Sequence, residues 1–174
     1  SLHLPLIAMG GPASLSMASE PARIADAMGT LGAKWGIVPI LMIPSTYRPR
    51  PGERMETGLG RAIAEAGEDI WKQTAASLNS KAAALQPLGV GVAYHNHNLD
   101  FAPIGKTTGW EILLRETDPG LVKFEIDIGW VELAGIDPVQ ALATNKVQGT
   151  FGSATACWHY ASKGLVDLRA QIWP

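Results

Sequence analysis

Cysteine is almost absent from the chain. Cys157 is alone among 174 residues, which excludes an internal disulfide framework and any zinc site built on several thiolates. An excess of charge is lacking as well: 14 Lys and Arg face 16 Asp and Glu, for a formal net charge of −2 with no basic run or stripe. Nucleic-acid affinity draws largely on phosphate neutralisation, so a nucleic-acid partner is not expected. No apolar run approaches the roughly 20 residues of a membrane span. The opening Ser1-Leu2-His3-Leu4-Pro5 has neither the basic start nor the long apolar stretch of a signal peptide. No membrane partner is expected, and the compartment stays open with the cytoplasm favoured. The 19 glycines and 12 prolines follow no period, so neither a repeat array nor a low-complexity linker is indicated. Residues 1–174 are expected to form one domain. Because an initiator Met is also missing, the chain is read as a fragment or a processed product.

What is present is an alternation of strand and helix signals. Trp35 to Ile43 is a short apolar run ending at Pro44 and suits a strand buried on both faces. Ser45 to Gly60, rich in Pro, Gly and Arg, reads as a long loop. From Arg61 to Leu85 apolar residues recur at helical spacing, with Gly67 the weak point. Val90 to His95 is β-prone, Thr108 to Arg115 is a short amphipathic helix closed by the Asp118-Pro119-Gly120 turn, and Val122 to Val131 is again β-prone. Asp137-Pro138 starts a last helix. Such a succession argues for parallel βαβ units and an α/β class, either doubly wound or a (β/α) barrel. The doubly wound alternative has only Gly58-Leu59-Gly60 as a phosphate turn, with Ile63 where a third glycine is needed and no strand before it.

The polar residues on the strands carry the chemistry. Alternation puts His95 and His97 on one face of their strand and Tyr94 and Asn96 on the other. Glu125 and Asp127 likewise point away from Phe124, Ile126 and Ile128. Two carboxylates on a buried strand face are costly unless a cation or hydrogen bonds compensate them, and a divalent metal would do so. Neighbouring strands of a barrel would bring His95 and Asp127 to one mouth. The polar cluster of His95, Asn96, His97, Asn98 and Asp100 has few packing explanations. His3 and His159, standing alone, read as hydrogen-bonded core histidines, and Glu125 reads equally well as a partner for Lys123 or an Arg. Trp130 offers an apolar ring face on which a sugar can stack.

These segments together resemble the sugar phosphate isomerase/epimerase family, the xylose-isomerase-like TIM barrels. The resemblance rests on Tyr94-His95-Asn96-His97, Asp100-Phe101, Thr117-Asp118-Pro119 and Phe124-Glu125-Ile126-Asp127 with Trp130 following. It implies a TIM-type parallel barrel and a divalent metal (Mn, Mg, Zn or Co) at its mouth, polarising the carbonyl of a sugar or keto-acid while a base moves the neighbouring proton. It implies Asp127 as a metal ligand, with a further ligand among His95, His97 and Asp100. The expected site therefore has Asp127, His95 and Asp100 around the metal, His97 and Glu125 in proton transfer, and Asn96 and Trp130 against the sugar. Asp100 stands where relatives carry the longer Glu.

After Leu142 the resemblance ends. Asn145 to Pro174 carries Lys146, Lys163 and Arg169 against Asp167 alone and shows neither a clean strand nor a clean helix. This tail is expected to be aberrant, as from a shifted reading frame, and the barrel partial, with uncovered edges that favour self-association. The leading expectation is a metal-dependent isomerase or epimerase. The alternative is a non-catalytic remnant with a residual sugar- or metal-binding groove. A metal-dependent endonuclease on a related barrel is disfavoured by the charge balance.

Overall fold

A computed structural model of the chain describes residues 1–6, 14–44, 47–144 and 149–151. Five strands form one sheet: β1 (Leu2–His3), β2 (Trp35–Val38), β3 (Gly91–His95), β6 (Val122–Asp127) and β7 (Gly149–Phe151). They lie in that order and every neighbouring pair is parallel. Parallel neighbours need crossovers, and helices supply them. These are α1 (Pro21–Thr30), α2 (Met55–Ala66), α3 (Glu68–Leu85) and α4 (Gly109–Glu116). A small antiparallel ribbon of β4 (Pro103–Ile104) and β5 (Thr107–Thr108) precedes α4. Two short helices, α5 (Ile128–Leu133) and α6 (Pro138–Thr144), follow β6.

Local chemistry accounts for most element ends. The Thr108 hydroxyl accepts from the Glu111 amide while the Glu111 carboxylate accepts from the Thr108 amide, a reciprocal cap that starts α4. Asp137 accepts from the Val139 amide at the start of α6. Four expectations are corrected. The strand expected over Trp35 to Ile43 ends at Val38, ahead of Pro39. The expected loop over Ser45 to Gly60 gives way to α2 from Met55 onward. The single helix over Arg61 to Leu85 is two, broken where Gly67 takes φ +61°. The expected strand to Val131 stops at Asp127, whose side chain caps α5 by accepting from the Gly129 and Trp130 amides. In the tail, Gly149–Phe151 forms a strand after all, paired with β6, and the rest of that segment lies outside the described residues.

The helices cover one face of the sheet. Val92 and Tyr94 from β3, Val122, Phe124 and Ile126 from β6, and Leu4 and Val38 pack there against Trp71, Leu78, Ile112 and Leu113. The opposite residues, His3, Ile37, Ala93, His95, Glu125 and Asp127, share the other face, in agreement with the expected alternation. No helix among the described residues is long and apolar enough to cross a membrane.

Trp71 fixes how α3 meets α4. Its indole is fully buried, and a Cβ built on Gly109 would overlap its ring carbons. Gly109→Ala is expected to destabilise the protein by roughly 1–3 kcal/mol through overpacking, against a gain of up to about 1 kcal/mol in helix propensity. Urea unfolding measures it, and unchanged stability would mean that the indole relocates freely.

Candidate functional site

The C-terminal ends of β1, β3 and β6 converge on one cluster. His95 closes β3 opposite Glu125 in the register of the pair, and its Nδ1 lies 3.1 Å from Glu125 Oε1. Its Nε2 lies 3.7 Å from Asp127 Oδ2. Across β2, the His3 and His95 ring centroids are 5.6 Å apart. In a flat sheet, side chains two strands apart are separated by about 10 Å. The two imidazoles thus lean toward each other across β2.

His3, His95 and Glu125 each offer one ligand atom, all within 4.8 Å of one another, and they are the metal-capable group found among the described residues. Two imidazoles and a carboxylate suit a borderline divalent ion such as zinc, cobalt or manganese better than magnesium, which prefers all-oxygen sites. The donor set thus fits a metal. The sequence alone presents His3 as a hydrogen-bonded core histidine. It is exposed, on a two-residue strand too short to show alternation.

The remaining expected site residues fall into two groups. Asp127 stands beside the cluster, with Oδ1 committed to the amides of α5 and Oδ2 turned to His95. His97 is next: its ring lies 5.4 Å from that of His95 and 4.9 Å from that of Trp130. Its buried Nδ1 has no hydrogen-bond partner among the described residues. Burial, then the charges of His95 and His3, push its pKa down to about 4, so the ring is neutral near pH 7. Asp100 and Asn96 serve the scaffold. The fully buried Asp100 carboxylate accepts from the His97 amide at 3.1 Å and closes the turn Asn98–Phe101. Burial raises its pKa to about 7. The Asn96 side chain, completely buried, accepts from the Asp127 amide at 2.6 Å and donates to the Asp127 carbonyl at 3.2 Å. It ties the end of β3 to the end of β6. Lys123 does not pair with Glu125, since its ammonium bonds to the Pro119 carbonyl.

A pocket of about 440 Å³ is lined by His97 and Trp130 and by none of His3, His95, Glu125 and Asp127. It is framed by Ile40 and Leu41 after β2, the start of α2, the turn after β3, and Trp130 and Leu133 of α5. All four segments lie at the end of the sheet where parallel α/β folds gather their sites.

No protein-family model matches the chain. A stretch of 40 residues is 52% identical to a probable membrane transporter protein, ORF9, of Sinorhizobium, covering 23% of this chain and 15% of that protein. Two crystal structures of sugar phosphate isomerase/epimerases from Parabacteroides distasonis superpose on it. One does so with a TM-score of 0.63 at 20% identity over 95% of this chain, and the other with 0.56 at 22% over 85%. The chain spans 65% of the first structure's length and 49% of the second's. Its parallel sheet, covered by helices on one face, has the TIM-type parallel α/β fold of these two sugar phosphate isomerase/epimerase structures.

Proposed function

We propose that this chain carries the site of a sugar or keto-acid isomerase or epimerase, which moves a proton at the carbon next to a carbonyl with the help of a divalent metal. The observation that carries this reading is the convergence of His3, His95 and Glu125, with ligand atoms within 4.8 Å, at the strand ends. Those three would hold the ion, and Asp127 Oδ2 adds a carboxylate oxygen beside them. When bound, the ion supplies Lewis-acid polarisation of the carbonyl, which acidifies the neighbouring C–H.

The chain's own groups do the rest. His97, neutral near pH 7, would accept the proton and return it to the adjacent carbon in isomerisation, whereas epimerisation would return a proton to the opposite face of the same carbon, from a second acid or from solvent. Glu125 would be taken up by the ion and by His95, whose Nδ1 lies 3.1 Å from its Oε1, and proton transfer falls to His97. Asn96 holds Asp127 in place through its main chain. Trp130, tilted against His97 with ring centroids 4.9 Å apart, would offer its indole face to the apolar side of a sugar ring.

Manganese titration with a paramagnetic readout tests the metal step. Binding by the wild-type chain is expected, and it should fall at least tenfold in Glu125→Gln and in His3→Ala. It should also fall in Asp127→Asn, which keeps the oxygen that caps α5. Equal binding by all four proteins would overturn the donor set. Incorporation of solvent deuterium into a panel of ketoses and keto-acids tests proton transfer. Metal binding without exchange would favour a non-catalytic groove, and exchange that survives in His97→Gln would remove that residue as the base.

A further inference from the structure

We infer that the pocket beyond His97 receives an apolar substituent, so that the substrate is a sugar carrying an apolar group and not a sugar phosphate. This deepens the proposed reading and rests on it for the position of the reacting carbons. His97 is the shared wall: one side of its ring faces His95 and the metal-capable cluster, and the ring also borders the pocket. A ligand seated on the cluster would place its next substituent against His97 and Trp130.

The walls decide the chemistry of that substituent. Ile40, Leu41, Leu59, Leu99 and Leu133 supply most of the lining together with the Trp130 indole. Arg54 is its one cationic residue, and the Asp100 carboxyl stands in the same wall. A phosphate needs several convergent donors, and this lining offers only Arg54, Asn98 and His97 amid apolar surface. The rim agrees. Among the described residues Leu31, Met55, Leu88 and Leu133 are exposed large hydrophobics, and two of them, Met55 at 62% and Leu133 at 64%, edge this pocket. An apolar substituent would cover surface that otherwise stays in water. The volume of about 440 Å³ falls within the roughly 300–1,000 Å³ of small-molecule sites.

Calorimetric titration of the full chain tests this with methyl and phenyl glycosides of glucose, galactose and xylose, beside glucose 6-phosphate and xylose 5-phosphate. At least one phenyl glycoside should bind at least about tenfold more tightly than its methyl counterpart, since burying an aromatic ring is worth more than one decade of affinity. The double variant Met55→Ser/Leu133→Ser, folded by circular dichroism because both side chains are exposed, should reduce that preference to about threefold or less. Equal affinity of phenyl and methyl glycosides, tighter binding of a phosphate, or no binding by any glycoside overturns the inference. Manganese binding is read separately on the same samples. A phenyl preference without manganese binding overturns the metal reading alone, and manganese binding without a phenyl preference overturns the apolar pocket alone.

Discussion

Asn96→Ala is expected to cost about 2–4 kcal/mol of stability and to weaken metal binding about 10–100-fold. The side chain is completely buried and spends both ends of its amide on one residue, accepting from the Asp127 N–H and donating to the Asp127 C=O. Alanine would leave a buried donor and a buried acceptor unsatisfied at the junction of β6 and α5. Each such group costs about 1–3 kcal/mol, because it has left water without a replacement. The second effect follows from the first: Asp127 turns its Oδ2 toward His95, and its neighbour on the same face, Glu125, holds His95 Nδ1. Loosening the main chain at Asp127 would spread both carboxylates away from the imidazole. Chemical denaturation and manganese titration of the same variant measure the two losses. A loss below about 1 kcal/mol with unchanged metal affinity would show that the ladder between β3 and β6 holds the strand end without Asn96. Asn96→Asp separates the contributions, since it keeps the acceptor for the amide and removes the donor.

Much of this arrangement is written locally in the sequence. Alternation along Tyr94-His95-Asn96-His97 and Phe124-Glu125-Ile126-Asp127 is a backbone property, and it assigns His95, Glu125 and Asp127 to the face where they are found. The capped start of α4 at Thr108 is equally local. What the sequence hides is set by tertiary contact. His3 lies on a strand of two residues, and its ring meets that of His95 only through a tertiary contact across β2. Asn96 and Asp100 read as polar site residues by their company in the chain, yet their side chains serve the scaffold, and that depends on where the Asp127 main chain and the His97 amide come to lie. The end of β6 was missed for a related reason. Ile128 and Val131 are β-prone by type, and the Asp127 cap overrides them by satisfying the first amides of α5.

Asp100→Asn is expected to change how the stability of the metal-free protein depends on pH. Burial raises the Asp100 pKa from 3.8 to about 7, so between about pH 4 and 7 the folded chain keeps a proton that the unfolded chain has released. The folded state binds more protons in that window, and stability therefore falls as pH rises through it, by on the order of 4 kcal/mol for a fully buried group. His97 acts in the opposite sense. Its pKa is pushed down to about 4, so between about pH 4 and 6.5 the unfolded chain holds the extra proton and stability rises with pH. The two residues oppose each other within one turn, and the wild type should show a shallow profile up to about pH 6.5 followed by a decline toward pH 7. Asparagine keeps an oxygen for the His97 amide without the acid. The variant should lose the decline, expose the His97 slope, and gain on the wild type by several kcal/mol between pH 4 and 8. Urea unfolding at half-unit intervals of pH measures both curves. Parallel curves would mean that Asp100 is already ionised in the fold at pH 4, held by the His97 amide, the Tyr94 hydroxyl and the His95 imidazole more strongly than burial opposes it.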